Sequence, residues 1–205
     1  MAATVGWKMS LSAQDLRSWP AAAAPDGWRR FSSVTIHTSD PFATPEDQRS
    51  PIRRLRGRLP SPVTIWTAGA GMARAGLTVS SMLVVDGEPG RIIGIIDDES
   101  DLWDAMKSTG RGAVTMLHQG DHLLADRFAG IFPAPGGLFA DGSWTDSDFG
   151  PVPEGAATWA GVQVDEANPF GFGLLVTATI VELHLDADPA KPLLHVRGRY
   201  RDLAG

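Results

Sequence analysis

Pro62-Val-Thr-Ile-Trp-Thr-Ala-Gly-Ala-Gly-Met-Ala-Arg-Ala-Gly-Leu-Thr-Val-Ser-Ser81 contains two runs of β-branched and aromatic residues separated by a glycine-rich turn. That is the pattern of two adjacent strands. A dinucleotide-binding loop would need Gly-x-Gly-x-x-Gly opening a helix. Here Arg74 stands where the third glycine would be and a β-branched run follows, so Ala68–Gly71 reads as a turn between strands. Outward from this stretch the same signal repeats, at Leu77–Val85, Arg91–Ile96, Ala113–Leu117, Trp159–Val164, Leu174–His184 and Leu193–Val196.

Two helices interrupt the strands. One is predicted from about Ser100 to Thr109, with Leu102, Trp103 and Met106 on one side and Gly110 as its stop. The second is Asp121–Phe128, where Leu124 and Phe128 lie one turn apart. Many strands and few helices, with 23 glycines and 15 prolines to make turns, predict a mainly β fold, a barrel with helical excursions.

The chain has 205 residues and no cysteine. At about 150 residues per domain this is one generous domain. Without thiols, disulfides, thiolate nucleophiles and Cys-ligated metal or iron–sulfur centres are excluded. A net charge of −6 has the wrong sign for general nucleic-acid binding. No apolar run reaches the roughly 20 residues of a membrane span, and the first residues lack the pattern of a secretory leader. A soluble, cytoplasmic protein with neither nucleic acid nor membrane as partner is expected.

Residues 1–51 read as an N-terminal extension. Within it Thr44-Pro45-Glu46-Asp47 signals a helix start, with a helix kept short or kinked by Pro51. Arg49, Arg53, Arg54, Arg56 and Arg58 make a basic cluster that either binds a phosphate or acidic partner or is a solvated face.

Other chemistry is thin. His118 and His122 are four apart, but Gly120 lies between them and no third ligand is near, so no metal site is assigned. His37, His184 and His195 are isolated. No Gly-x-Ser-x-Gly occurs, and Asp97-Asp98-Glu99 ends a strand where acids favour the following helix. The remaining candidate is Gly76-Leu77-Thr78-Val79-Ser80-Ser81. On a strand Thr78 and Ser80 share a face, and a row of hydroxyls can donate to ring carbonyls or phosphate oxygens.

In order along the chain, Pro62–Ala68, Ala75–Ser81, Leu124–Gly130 and Pro192–Arg201, with a looser match from Trp144 through Gly150–Ala156 to Trp159, resemble the flavin reductase-like, FMN-binding split-barrel family. The resemblance covers roughly residues 52 to 202, so 52–205 is read as that domain. It implies a Greek-key split barrel, a homodimer, and bound FMN, with FAD an alternative. The activity it implies is hydride transfer from NAD(P)H to flavin, in some relatives on behalf of a partner monooxygenase. It implies cofactor contacts at Gly76, Leu77, Thr78, Ser80 and Ser81, and at the next strand end and turn, Ile96, Asp97 and Ser100. Ser100 also reads as a helix cap, and Thr115 stands where many relatives carry Asn. No catalytic residue is assigned.

Three departures stand out. The acids at 97–99 occupy a segment that is neutral or basic in relatives. Gly171-Phe172-Gly173 stands where many have Gly-Asp-His, and His195-Val196 where Tyr-His is common. A flavin carrier or sensor of slow turnover, and an interaction protein that binds no flavin, are the alternative readings on this fold.

Overall fold

The computed structural model describes residues 50–140, 142–187, 190–201 and 203. Its main element is a seven-stranded antiparallel sheet. The strands are β2 (Thr64–Ala68), β3 (Ala75–Val79), β4 (Met82–Val85), β5 (Arg91–Ile96), β6 (Arg111–Met116), β9 (Thr158–Phe170) and β10 (Gly173–Leu185), in the order β3-β2-β6-β9-β10-β5-β4. Beside it lies a three-stranded sheet, β1 (Ser61–Pro62), β11 (Leu194–Val196) and β12 (Arg199–Arg201). β7 (Trp144–Asp146) and β8 (Pro151–Pro153) pair separately. Three helices complete the described residues: α1 (Pro51–Arg56), α2 (Asp101–Thr109) and α3 (His122–Phe128). The mainly β barrel-like expectation holds.

The run Leu77–Val85, expected as one strand, is two. β3 and β4 stand at opposite edges of the large sheet, and the chain crosses between them at Ser80–Ser81. The crossing requires the sheet to curl, and the Ile95 amide donates to the Ser81 carbonyl at 2.9 Å to fix it. A helix begins at Pro51. Ser50 Oγ accepts from the Arg53 amide at 3.2 Å, and proline sits in the first turn, where its missing N–H has no partner to lose. The proposed start at Thr44, and the extension as a whole up to residue 49, lie outside the described residues.

Packing divides into two main clusters. Trp66, Val79, Ile92, Ile96, Leu102, Met106, Val162 and Val176 fill the space inside the curl under α2. Trp66 is fully buried. A side chain at Gly94 would meet its ring at 2.5 Å, so the strand opposite is kept bare to admit the indole. Thr64 completes the fit: its Oγ1 donates to the Val79 carbonyl at 2.6 Å and accepts from the Trp66 Nε1 at 3.1 Å. The second cluster, Val63, Ile65, Leu117, Ala125, Phe128 and Leu193, joins the small sheet to α3, with Tyr200 packed against it.

Two positions depart from regular geometry in ways that matter below. β10 bulges at Val181, so that its last residues leave the core, and Val181, Leu183 and Leu185 are all more than half exposed. The β11–β12 turn places Arg197 at φ 53° ahead of Gly198 at φ 76°. Such a two-residue turn favours Asn-Gly, and the left-handed conformation costs a residue with a Cβ about 1–2 kcal/mol.

Candidate functional site

Thr78 and Ser80 meet Val63, Ala129, His195 and Tyr200 in one narrow hollow, too tight to hold a water molecule. It lies where the end of β3 meets the small sheet and α3. The strand pattern brings the two hydroxyls to one face, and α3 is drawn against that face by two contacts. A side chain at Gly76 would strike the Phe128 ring at 2.5 Å, so glycine lets the helix approach. Thr78 Oγ1 donates to the Ala125 carbonyl at 2.6 Å.

That bond changes what Thr78 can do. Its proton is engaged within the fold, so toward a ligand the hydroxyl is an acceptor. No hydrogen bond among the described residues engages Ser80 Oγ, which keeps its donor. Leu77 faces the first cluster. Ser81, exposed, leads into β4.

The second group of expected contacts, Ile96, Asp97 and Ser100, adjoins this end of β3 because Ser81 pairs with Ile95. Their roles differ. Ile96 is a core residue, 2% exposed. Ser100 caps α2, accepting from the Trp103 amide at 3.2 Å, while its own hydroxyl donates to the Asp97 carbonyl at 2.6 Å. Asp97 Oδ1 accepts from the Glu99 amide at 3.0 Å. The carboxylate is thereby turned onto its own turn, and Asp97, Asp98 and Glu99 all face solvent.

Gly173 follows the hairpin tip at Gly171-Phe172, and a Cβ there would collide with the Ile96 carbonyl. The missing imidazole is therefore matched by missing space. His118 lies beyond β6 in an isolated bridge to Pro192 while His122 opens α3, so the two do not share a helical face. His184 is stacked on Trp159 at 4.3 Å and contacts Glu182 at 2.6 Å, all three toward the exposed end of β10.

Sequence reasoning missed the polar group behind the hollow. Tyr200, the chain's single tyrosine, donates its hydroxyl to Asp126 Oδ1 at 2.7 Å. Asp126 is only 6% exposed. Burial, then the bond and charge of Asp126, push the phenol far above its ordinary range, so it remains a donor. His195 stands opposite Tyr200 in the hairpin, ring to ring at 5.8 Å. Its Nε2 is buried with no hydrogen-bond partner. Burial lowers its pKa, Arg56 lowers it further, and Asp126 opposes them, so the ring is held neutral. Thr115 Oγ1 is the other buried side-chain atom left unpartnered among the described residues. Asp126 and Tyr200 lie 74 residues apart, and no spacing rule joins them. The only signal was that each falls inside a block carrying the family resemblance.

These groups offer polar contacts to the edge of a flat ligand lying against the strand end. An unpaired Ser80 hydroxyl, an acceptor at Thr78 and an orphaned imidazole nitrogen converge on one hollow. Buried polar atoms without partners in a native protein call for a ligand or water.

Residues 56–204 match the flavin reductase like domain. An NADH:FMN oxidoreductase of Rhodococcus erythropolis is 31% identical over 186 residues, spanning 82% of this chain and 93% of the relative. An FMN reductase (NADH) of Agrobacterium fabrum is 26% identical, over 78% of this chain and 91% of its own. Among solved structures, the nitrilotriacetate monooxygenase component B homologue from Mycobacterium thermoresistibile superposes with a TM-score of 0.67 at 25% identity, covering 75% of this chain and 85% of that one. With nearly the whole described chain inside the match, this protein belongs to the flavin reductase-like domain family.

Proposed function

We propose that the chain is an oxidoreductase that binds FMN and reduces it with NAD(P)H. The observation that carries the reading is the meeting of β3's hydroxyl-bearing end with the β5–α2 turn, held by the Ile95–Ser81 bond. When bound, the flavin supplies the redox chemistry, accepting a hydride that no side chain of this chain can hold.

The residues supply binding and polarity. Ser80 donates to a ring oxygen, where negative charge grows on reduction and a preoriented donor stabilises it. Thr78 would accept from a ring N–H and Ser81 would close the strip, whereas Gly76 is covered by the Phe128 ring and Leu77 packs into the first cluster, so these two would support the strip from within the fold. The turn at Asp97–Ser100 lies at the strip's end with its carboxylates directed to solvent, which removes the repulsion their sequence suggested. FAD can be accommodated on the same logic, since the ring contacts are common to both flavins.

The hollow itself has no room for a ring, so a flavin would lie against its mouth, where a second surface would cover it. We infer a homodimer. Leu83 and Val84 on β4 and Val181, Leu183 and Leu185 on β10 are exposed apolar residues, of the kind a second copy covers. One similar structure is a nitrilotriacetate monooxygenase component B homologue, and a partner monooxygenase drawing on the reduced flavin is inferred from that likeness. No helix among the described residues is long and apolar enough to cross a membrane, and a cytoplasmic site of action is proposed.

The test is a flavin spectrum of the purified protein with and without added FMN, followed by NADH or NADPH under anaerobic conditions. Bleaching faster than free flavin under the same conditions is expected. FMN bound but not bleached would favour a carrier or sensor, consistent with the closed space at Gly173. No FMN binding at micromolar concentration would leave an interaction protein. Ser80→Ala is expected to weaken FMN binding with the fold intact.

A further inference from the structure

The basic cluster seen in the sequence is larger in space than along the chain, and apolar side chains come with it. α1 and its following turn carry Arg53, Arg54, Arg56 and Arg58. The amide of Arg197 donates to the Gly57 carbonyl at 2.7 Å, which brings the β11–β12 hairpin, with Arg197, Arg199 and Arg201, to the same pole. All seven arginines are exposed, and none forms an ion pair among the described residues. Residues 50–62 and 191–201 contain no Asp or Glu, so all 24 acids of the chain lie elsewhere.

No residue of α1 is buried. Ile52 and Leu55, three apart and so on one side of the helix, are 75% and 58% exposed, and Leu59 in the turn beyond is 60% exposed. Among the described residues, the bond from Arg197 to Gly57 is the one hydrogen bond that ties residues 50–59 to the rest of the fold. A helix of six residues draws little stability from its own backbone bonds, and the like charges of Arg53 and Arg56, three apart, work against it. Arg197 holds φ 53° where Asn or Gly would fit without strain, and strain retained at one residue points to a role for its side chain. Neither the apolar side nor the positive charge of this pole is answered within the described chain.

We propose that α1 and the β11–β12 hairpin form a docking surface for a partner protein whose carboxylate side chains border an apolar groove. The inference goes beyond the flavin reductase reading and does not depend on it. The guanidinium groups match carboxylates in charge and in shape, since each fork can bond both oxygens. Ile52, Leu55 and Leu59 fill the groove, which gives the apolar centre and arginine-rich surround of a protein interface. A small phosphate ligand would leave those three aliphatic side chains in water. Helices that lie on a lipid surface carry Trp or Tyr anchors, and the tyrosine of this pole, Tyr200, is engaged with Asp126. Stacking on nucleic-acid bases also requires exposed aromatic rings.

The test uses the full chain at low salt and three labelled probes of equal length, followed by fluorescence anisotropy. The probes are a peptide of glutamate and leucine at helical spacing, polyglutamate, and a peptide with the same leucines and lysine in place of glutamate. The glutamate–leucine peptide is expected to bind wild type most tightly, polyglutamate more weakly, and the lysine peptide not at all. Arg53→Gln/Arg54→Gln/Arg197→Gly and Leu55→Ser/Leu59→Ser should each weaken the first peptide about tenfold. Polyglutamate should respond to the arginine variant alone, and added salt should weaken both acidic probes. Because no substituted side chain is buried, the thermal midpoints should stay near that of wild type, which separates lost binding from lost fold.

Equal affinity of wild type for the glutamate–leucine and lysine–leucine peptides would overturn the proposal, as would a glutamate–leucine affinity that neither variant alters. FMN or ADP affinity that falls in the arginine variant would assign the arginines to nucleotide phosphate instead. Tighter binding of phosphatidylglycerol vesicles or of a duplex oligonucleotide than of the peptide would give the pole to a membrane or to nucleic acid. A dimer that sedimentation shows in wild type and that Leu55→Ser/Leu59→Ser splits would give it to a second copy of this chain, and each of these results would sink the acidic-partner assignment.

Discussion

The two faces of β2 solve opposite problems. On one, Trp66 is sealed in apolar packing, and its indole nitrogen, the Thr64 hydroxyl and the Val79 carbonyl satisfy one another. On the other, Val63 and Ile65 support a layer where Thr78, Asp126, His195 and Tyr200 meet. The buried atoms left without partners belong to residues registered on this side: Thr115 pairs with Ile65 across β2–β6, and His195 lies above the hollow. A face whose polar atoms are all paired has only a structural role. The face that keeps unpaired donors and acceptors is where a ligand's polar edge can be received.

Emptying the first face should have the largest effect on stability. Trp66→Ala removes a fully buried ring whose place no neighbour can take, because Gly94 opposite has no side chain to relax inward. A loss of about 3–5 kcal/mol is expected, read from urea or guanidinium unfolding. If the loss were under about 1 kcal/mol, the indole would not be organising the curl of the sheet.

On the second face the corresponding strike is Tyr200→Phe. The variant keeps the ring's packing and removes only the donor to Asp126, leaving a buried carboxylate without that partner. Hydrogen bonds to charged groups contribute about 1.5–3 kcal/mol, so the cost should fall below that of Trp66→Ala. Thr78→Val comes next, at about 1 kcal/mol, because it forfeits the tie to the Ala125 carbonyl while preserving shape. Its stability loss separates it from Ser80→Ala, which should be nearly silent in unfolding and visible in flavin binding. If instead Thr78→Val leaves stability unchanged and only flavin affinity falls, the hydroxyl's bond to α3 has no energetic weight.

The contrast explains what could be read from the sequence. The strands of the first face announce themselves locally, through β-branched runs such as Val63–Thr67 and Arg91–Ile96 bounded by Gly and Asp. α2 did so through Ser100 and Gly110. What failed locally was Leu77–Val85: its composition is continuous, and only the need to cross from one sheet edge to the other breaks it at Ser80. The helix that begins at Pro51 was not anticipated either: its cap is Ser50, whose side chain accepts from the Arg53 amide. The candidate strip at Gly76–Ser81 was visible as a motif. The Asp126–Tyr200 bond and the convergence of Arg197 on Gly57 were not, because they join segments far apart in sequence that become neighbours only once the small sheet has formed.

The smallest expected effect is a pH dependence confined to the second face. Burial and Arg56 depress the His195 pKa below its ordinary 6.5, against the pull of Asp126. On acidification the unfolded chain therefore takes up this proton first. A group whose folded pKa is lowered contributes stability that is present above the unfolded value and is lost as pH falls through the folded one. Between neutrality and mildly acidic pH, wild type should lose stability more steeply than His195→Gln, which occupies a similar volume and cannot ionise. The two curves should run parallel above about pH 7. The opposing charge of Asp126 keeps the difference modest. Removing that charge with Asp126→Asn should lower the His195 pKa further and make the variant's slope steeper than that of wild type. If wild type and His195→Gln instead track each other from pH 7.5 to 5.5, or if wild type gains stability on acidification, the imidazole is not held neutral, and the two faces of β2 differ in packing but not in electrostatics.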